Sequence, residues 1–248
     1  FGFSLYDPVQ DGSYFYLPIA RSKDGSALSD FQDIYYDNDF LTLPFRKTYL
    51  LNCSPSFTYV PTHLFEEKQA GDYMDFLFSS PSGKIMHHHL MMQQITIVHG
   101  MDEDLYSFLH RSFFDLRFYH HTAPLMTYFF NQVQLVNAKR MIINLESKGI
   151  DVICFERDYL LLGNHFPTAS LEEAVYYILF IWKQLGFDQL KDYIYIAGNM
   201  EGRKDLMSNI KDYIRNMIPV NITPKAHFER VDVLNIPFHL AALSLCEL

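Results

Sequence analysis

Basic charge is scarce in this chain of 248 residues: Lys and Arg number 20 against 29 Asp and Glu, a formal net charge of −9. No Lys/Arg run is long enough to track a phosphate backbone, and the field has the wrong sign for a polyanion, so nucleic-acid binding is disfavoured. Cysteine is almost missing. Cys53, Cys154 and Cys246 are odd in number and far apart, which suits reduced, buried thiols and argues against a disulfide framework. Long hydrophobic runs are also missing: the longest, VYYILFIW at residues 175–182, is far short of the ~20 residues of a membrane span. The opening FGFSLYDPVQ has no basic region followed by an apolar stretch, so neither membrane insertion nor a signal peptide is expected. A cytoplasmic location follows as the expectation. There is no Gly-x-Ser-x-Gly elbow, no phosphate loop ending in Gly-Lys-Ser/Thr and no Cys-x-x-Cys, which removes the commonest local signatures of catalysis.

What the chain does have is apolar mass, 49% hydrophobic and 16% aromatic residues, at a length that favours two domains or two halves sharing an interface. The later half is the more legible. MIINL (141–145), IDVICFE (150–156) and YLLLGNHF (159–166) are strand-like runs joined by short turns, which makes neighbours antiparallel. Ser170 then stands three residues before Glu173, a capping box, and Leu171, Ala174, Val175, Ile178, Trp182 and Leu185 recur at helical spacing up to Gly186. DYIYIAG (192–198) reads as a buried strand, GRKDLMSNIKDYIRNM (202–217) as a second amphipathic helix, VNIT (220–223) as a short strand, and 237–246 as a last apolar helix. The order is β-β-β-α-β-α-β-α, that of a ribonuclease-H-like module.

The front half repeats part of that order. FGFSLYD and SYFYLPIAR form a hairpin across an Asp-Gly turn, Ser29 with Gln32 offers a capping box, KTYLLNC is a buried strand, and a helix begins near Thr62. The first strand of the module has no counterpart, so one strand is expected upstream of Phe1. KIMHHHL and MQQITIVHG follow as strands, then helices over 102–114 and around 123–131. With no low-complexity linker, the halves are placed at 1–122 and 123–248 and expected to pack tightly.

The stretches FGFSLYD, YVPTHLF, RDYLLLGNHFPTASLEEAVYYILFIWKQLG and YIYIAGNM are similar to a family of uncharacterised bacterial proteins, a domain of unknown function, and the similarity covers essentially the whole chain. That resemblance implies an α/β actin-like ATPase architecture of duplicated ribonuclease-H-like modules, with mixed sheets flanked by helices. More distantly the chain resembles actin-like proteins of pilus assembly, which act as cytoplasmic scaffolds. Fold carries function only by analogy.

An actin-like ATPase needs glycines and small hydroxyls at its hairpin turns, where backbone N–H groups approach phosphates, and a carboxylate near Mg²⁺. Here Asn144 stands where such ATPases place Asp, and Glu146 puts a negative side chain where Gly belongs. The adenosine-side loop offers Gly198 alone, followed by Asn199 and Met200. Glu146, Gly198 and Asn199 are therefore the candidate positions of a degenerate nucleotide site. No cofactor is expected, Mg-ATP being the alternative.

Histidine is the other candidate chemistry. His87, His88 and His89 lie in a strand-like run, with His99, His120 and His121 elsewhere. No Cys or carboxylate falls at a matching spacing, so solvent-facing strand histidines are expected and no metal. A two-metal nuclease site would need carboxylates on the first and fourth strands of the module; the fourth, 193–197, has none. Asp102, Glu103 and Asp104 read as a helix N-terminus. The 22 Phe and 17 Tyr favour protein interfaces. The reading that results is a pseudoenzyme that binds an unknown protein partner, with a divergent ATPase as the alternative.

Overall fold

The computed structural model describes residues 1–7, 13–21, 25–79, 83–132, 138–198, 200–220 and 236–246. The chain divides into two compact units, one of Phe1–Leu5 with Phe15–Ala123, the other of Tyr6–Tyr14 with Pro124–Leu248. Among the described residues no helix is long and apolar enough to cross a membrane.

At the start of the chain β1 (Gly2–Asp7) pairs with β2 (Ser13–Pro18) as a two-stranded sheet; the Asp-Gly turn expected between them lies outside the described residues. Helix α1 (Ala27–Asp37) starts earlier than the Ser29 capping box suggests, because Ser26 is the cap and its hydroxyl accepts from Ser29 N at 3.0 Å. Next come β3 (Thr48–Asn52) and β4 (Phe57–Pro61). The helix expected near Thr62 is delayed by two 3₁₀ turns, and α2 begins at Ala70 and ends at Leu77. β5 (Lys84–Leu90) and β6 (Ile95–Met101) form an antiparallel sheet with β4 in the order β4-β6-β5. Helix α3 (Glu103–Ser112) is capped by Asp102, whose carboxylate accepts from Leu105 N at 2.8 Å. β7 (Leu116–His120) then pairs in parallel with β3. That strand has no local signature: its stability comes from a partner strand far back in the chain.

α4 (Thr122–Gln132) leads into β8 (Lys139–Glu146), β9 (Gly149–Glu156) and β10 (Tyr159–Pro167). α5 (Leu171–Gln184) is capped by Ser170 as its sequence predicts, with Glu173 N donating to Ser170 Oγ and Glu173 Oε2 accepting from Ala169 N. β11 (Tyr193–Gly198), α6 (Met200–Ile210), β12 (Asn216–Pro219) and α7 (Phe238–Leu243) complete a five-stranded mixed sheet ordered β10-β9-β8-β11-β12. Helix α6 stops well short of residue 217. Ile214 is buried from the turn that follows it, and Asn216 and Met217 pair in parallel with Tyr193 and Ile194 as part of β12. The same apolar spacing thus serves a turn and a strand. The strand expected at 220–223 lies largely outside the described residues; β12 is the strand that forms beside it. Met141, Ile143, Ile150, Val152, Ile194 and Ile196 meet Ile178, Trp182, Leu206 and Ile210 in one continuous core, the reason β8, β9 and β11 read as uninterrupted apolar runs.

Candidate functional site

Three features set the geometry at the β8–β9 turn. The pairing Asn144↔Asp151, Leu145↔Ile150, Glu146↔Gly149 closes a two-residue hairpin over Ser147 and Lys148. A Cβ at Gly149 would stand 2.5 Å from the Phe166 carbonyl and 2.8 Å from His165 Nε2, so glycine there is what lets β10 lie close. Gly198, at φ +91°, pairs with Leu145, and a Cβ on it would come within 2.2 Å of the Leu145 carbonyl oxygen. Gly198 therefore serves the close approach of β11 to β8.

The side chains of this end of the sheet form a chain of polar contacts. Asn144 Nδ2 donates to Glu146 Oε1 at 2.8 Å and to Asp151 Oδ2 at 2.9 Å. Asp151 Oδ1 lies 2.9 Å from His165 Nδ1, and Glu146 Oε1 lies 3.4 Å from His239 Nδ1 on α7. Asn144 and Asp151 are each 1% exposed. Because both neighbours of its nitrogen are acceptors, the orientation of the Asn144 amide is fixed, and its Oδ1 has no hydrogen-bond partner among the described residues. Burial pushes the Glu146 carboxyl up, but the hydrogen bond and charge of His239, helped by the Asn144 amide, outweigh it and hold the group below the usual carboxylate range. The arrangement is a linear polar chain, His239–Glu146–Asn144–Asp151–His165, that keeps a carboxylate ionised beside the hairpin turn.

Two of the three candidate positions named from sequence are thus seen: Glu146 is in the chain and Gly198 abuts Leu145, while Asn199 lies outside the described residues. Asp151, His165 and His239 were not singled out. A signal for Asp151 exists in the sequence, a lone acid inside the buried run IDVICF; a buried charge must be paired. Nothing local points to His165 or His239, which reach the turn from β10 and α7.

Both hydrogens of the Asn144 amide are thus engaged by carboxylates, and the Glu146 carboxylate stands at the edge of the turn.

Six histidines of the first unit divide between two faces of the β4-β6-β5 sheet. His87 and His89 pack on Phe65, with ring centroids 4.8 and 5.6 Å away, and His89 Nδ1 contacts Thr96 Oγ1. His88, His99, His120 and His121 gather on the other face with Tyr119 and Phe57. These four are largely buried, so the solvent-facing reading does not hold for them. Asn52 Nδ2 donates to Gly100 O at 2.9 Å and lies 3.0 Å from His99 Nδ1, which must then accept, placing the His99 proton on Nε2. Burial lowers His88 to about 3 and His99 to about 4, with the neighbouring imidazoles adding to both shifts. His88 and His99 are therefore neutral at pH 7. Among the described residues no group of three His, Cys, Asp or Glu side chains has the geometry to hold a metal ion.

No curated protein matches the chain. A crystal structure of a Bacteroides thetaiotaomicron protein with an actin-like ATPase fold and unknown function is similar at 28% identity and a TM-score of 0.85, over 99% of this chain and 91% of that one. The PilM-PilN type IV pilus biogenesis complex is similar at 13% identity and a TM-score of 0.55, over 98% of this chain and 94% of the other, a likeness of fold alone. The fold is that of the actin-like ATPases. Residues 1–217 match the protein family of unknown function DUF3822, and the chain belongs to that family.

Proposed function

We propose that this chain is a cytoplasmic, non-catalytic scaffold which keeps an actin-like framework, with related halves at 1–122 and 123–248, and acts by binding another protein. The observation that carries the reading is the Glu146 carboxylate, held ionised by His239 and tied to Asn144 at 2.8 Å. A phosphate-binding turn works by aiming unencumbered N–H groups at an anion. Here the Asn144 amide beside the turn is engaged by two carboxylates, and Glu146 brings a charge of the anion's own sign to its edge. The likeness to a complex of two proteins, PilM with PilN, supports protein binding as the task left to such a framework.

The test is a thermal melt with and without Mg²⁺ and a non-hydrolysable ATP analogue in millimolar excess. An unchanged midpoint is expected. A native-state ligand at a hundred times its Kd adds about 2.7 kcal/mol, several degrees for a protein of this size; a shift of that kind would overturn the reading in favour of a divergent nucleotide-binding ATPase.

A further inference from the structure

We propose that the groove between β4 and α2 docks a segment of a partner protein carrying a large apolar side chain flanked by lysine or arginine. The proposal rests on the protein-binding reading above and names the surface and the chemistry it selects.

The groove has a volume of about 420 Å³ and is lined by Val60 and Pro61 from β4 and by Asp72, Tyr73, Phe76 and Leu77 from α2. That is the size range of ligand pockets. It exists because α2 spends its other face on the sheet: Ala70 and Met74 pack on Val60 and Val98, with Met74 fully buried. A surface helix ordinarily turns polar side chains outward. In α2 the outward position beside the groove is Phe76, 89% exposed, and Leu77 at the helix end is left 51% exposed. Apolar side chains left in water beside an apolar cavity mark an interaction surface.

Charge selects the occupant. Residues 66–75 read EEKQAGDYMD, and Glu66, Glu67, Asp72 and Asp75 are all exposed, with Lys68 the one cation among them. No ion pair to any of these four carboxylates is found among the described residues. Asp72 is the acid that lines the groove, and the other three stand on the same exposed segment. An apolar anchor with positive flanks satisfies both features, the anchor entering the groove and a flank meeting Asp72. The same negative charge argues against a second copy of this chain as the occupant, since each copy carries −9.

The experiment uses the whole chain and three fluorescein-labelled peptides: Lys-Lys-Leu-Phe-Leu-Lys-Lys, its Glu-for-Lys counterpart, and Lys-Lys-Ser-Gly-Ser-Lys-Lys. Fluorescence anisotropy is expected to show saturable binding of the first alone, weakening as salt is raised. Binding should fall at least tenfold in Phe76→Glu and also in the double variant Asp72→Lys with Asp75→Lys. All these side chains are exposed, and circular dichroism checks that each variant is folded. Equal binding of all three peptides, no binding of any, or unchanged binding in both variants would overturn the proposal. So would sedimentation showing a wild-type dimer that Phe76→Glu dissociates, because the groove would then be covered by a second copy. The nucleotide melt is independent of these outcomes, so failure of the groove and failure of the scaffold reading are told apart.

Discussion

Asn144 Nδ2 donates to Asp151 Oδ2 at 2.9 Å across the β8–β9 ladder, between two residues that are each 1% exposed. A carboxylate buried to that degree needs donors on both oxygens. Asp151 has them, Asn144 on one side and His165 on the other. An aspartate at residue 144, as actin-like ATPases carry, would be a third carboxylate in contact with Glu146 and Asp151.

The first prediction is therefore that Asn144→Asp destabilises the chain and restores no nucleotide binding. The loss at neutral pH should be about 3 kcal/mol, the scale of an uncompensated buried charge. It should shrink as the pH falls and one of the clustered carboxylates takes up a proton. Urea denaturation at pH 7 and pH 5 reads both effects.

His239→Ala should raise the pKa of Glu146, since the contact that holds the carboxyl down is removed. A carboxyl depressed in the folded state adds stability above its unfolded pKa and loses it as the pH falls through the folded value. The variant should thus show a shallower acid limb from this group. Carbon NMR titration of the glutamate carboxyls would settle the direction; an unmoved Glu146 would remove His239 from its role.

Gly198→Ala should be costly although the change is one methyl group. The backbone there is at φ +91°, and the new Cβ would meet the Leu145 carbonyl oxygen at 2.2 Å. Either the β11–β8 pairing opens or the strain is retained, at roughly 2–3 kcal/mol for a residue forced into such a conformation. Gly71→Ala, where a Cβ would have nothing within 4 Å, is the control and should leave the melting midpoint unchanged or higher.

The histidine cluster sets a second acid dependence. His88 and His99 sit at about 3 and about 4 in the folded chain against 6.5 when unfolded. Between those values the unfolded chain binds protons that the folded chain refuses, so stability is full above about pH 6.5 and falls as the pH drops toward 4. Neither ring nitrogen of His88 has a hydrogen-bond partner among the described residues. His88→Phe should then lessen the fall and add about 1 kcal/mol at pH 7 by removing a buried unsatisfied group. Thermal melts from pH 4 to 7.5 on both proteins make the comparison.

Local rules went a long way in this chain. The Ser170 cap, the periodicity of α5, the hairpins of β8, β9 and β10 and the order of elements in the second unit were all legible, because each depends on neighbours a few residues apart. What local pattern could not decide was where an apolar spacing changes use, as at Ile214, or whether a short stretch such as Leu116–His120 finds a distant strand to pair with. The tertiary structure alone brought His165 to Asp151 and His239 to Glu146, split His87 and His89 from the buried histidines across a sheet, and left Phe76 in water. Those outcomes follow from long-range packing: a side chain's partner is set by the sheet and helix it is pressed against, and sequence spacing carries no record of that distance.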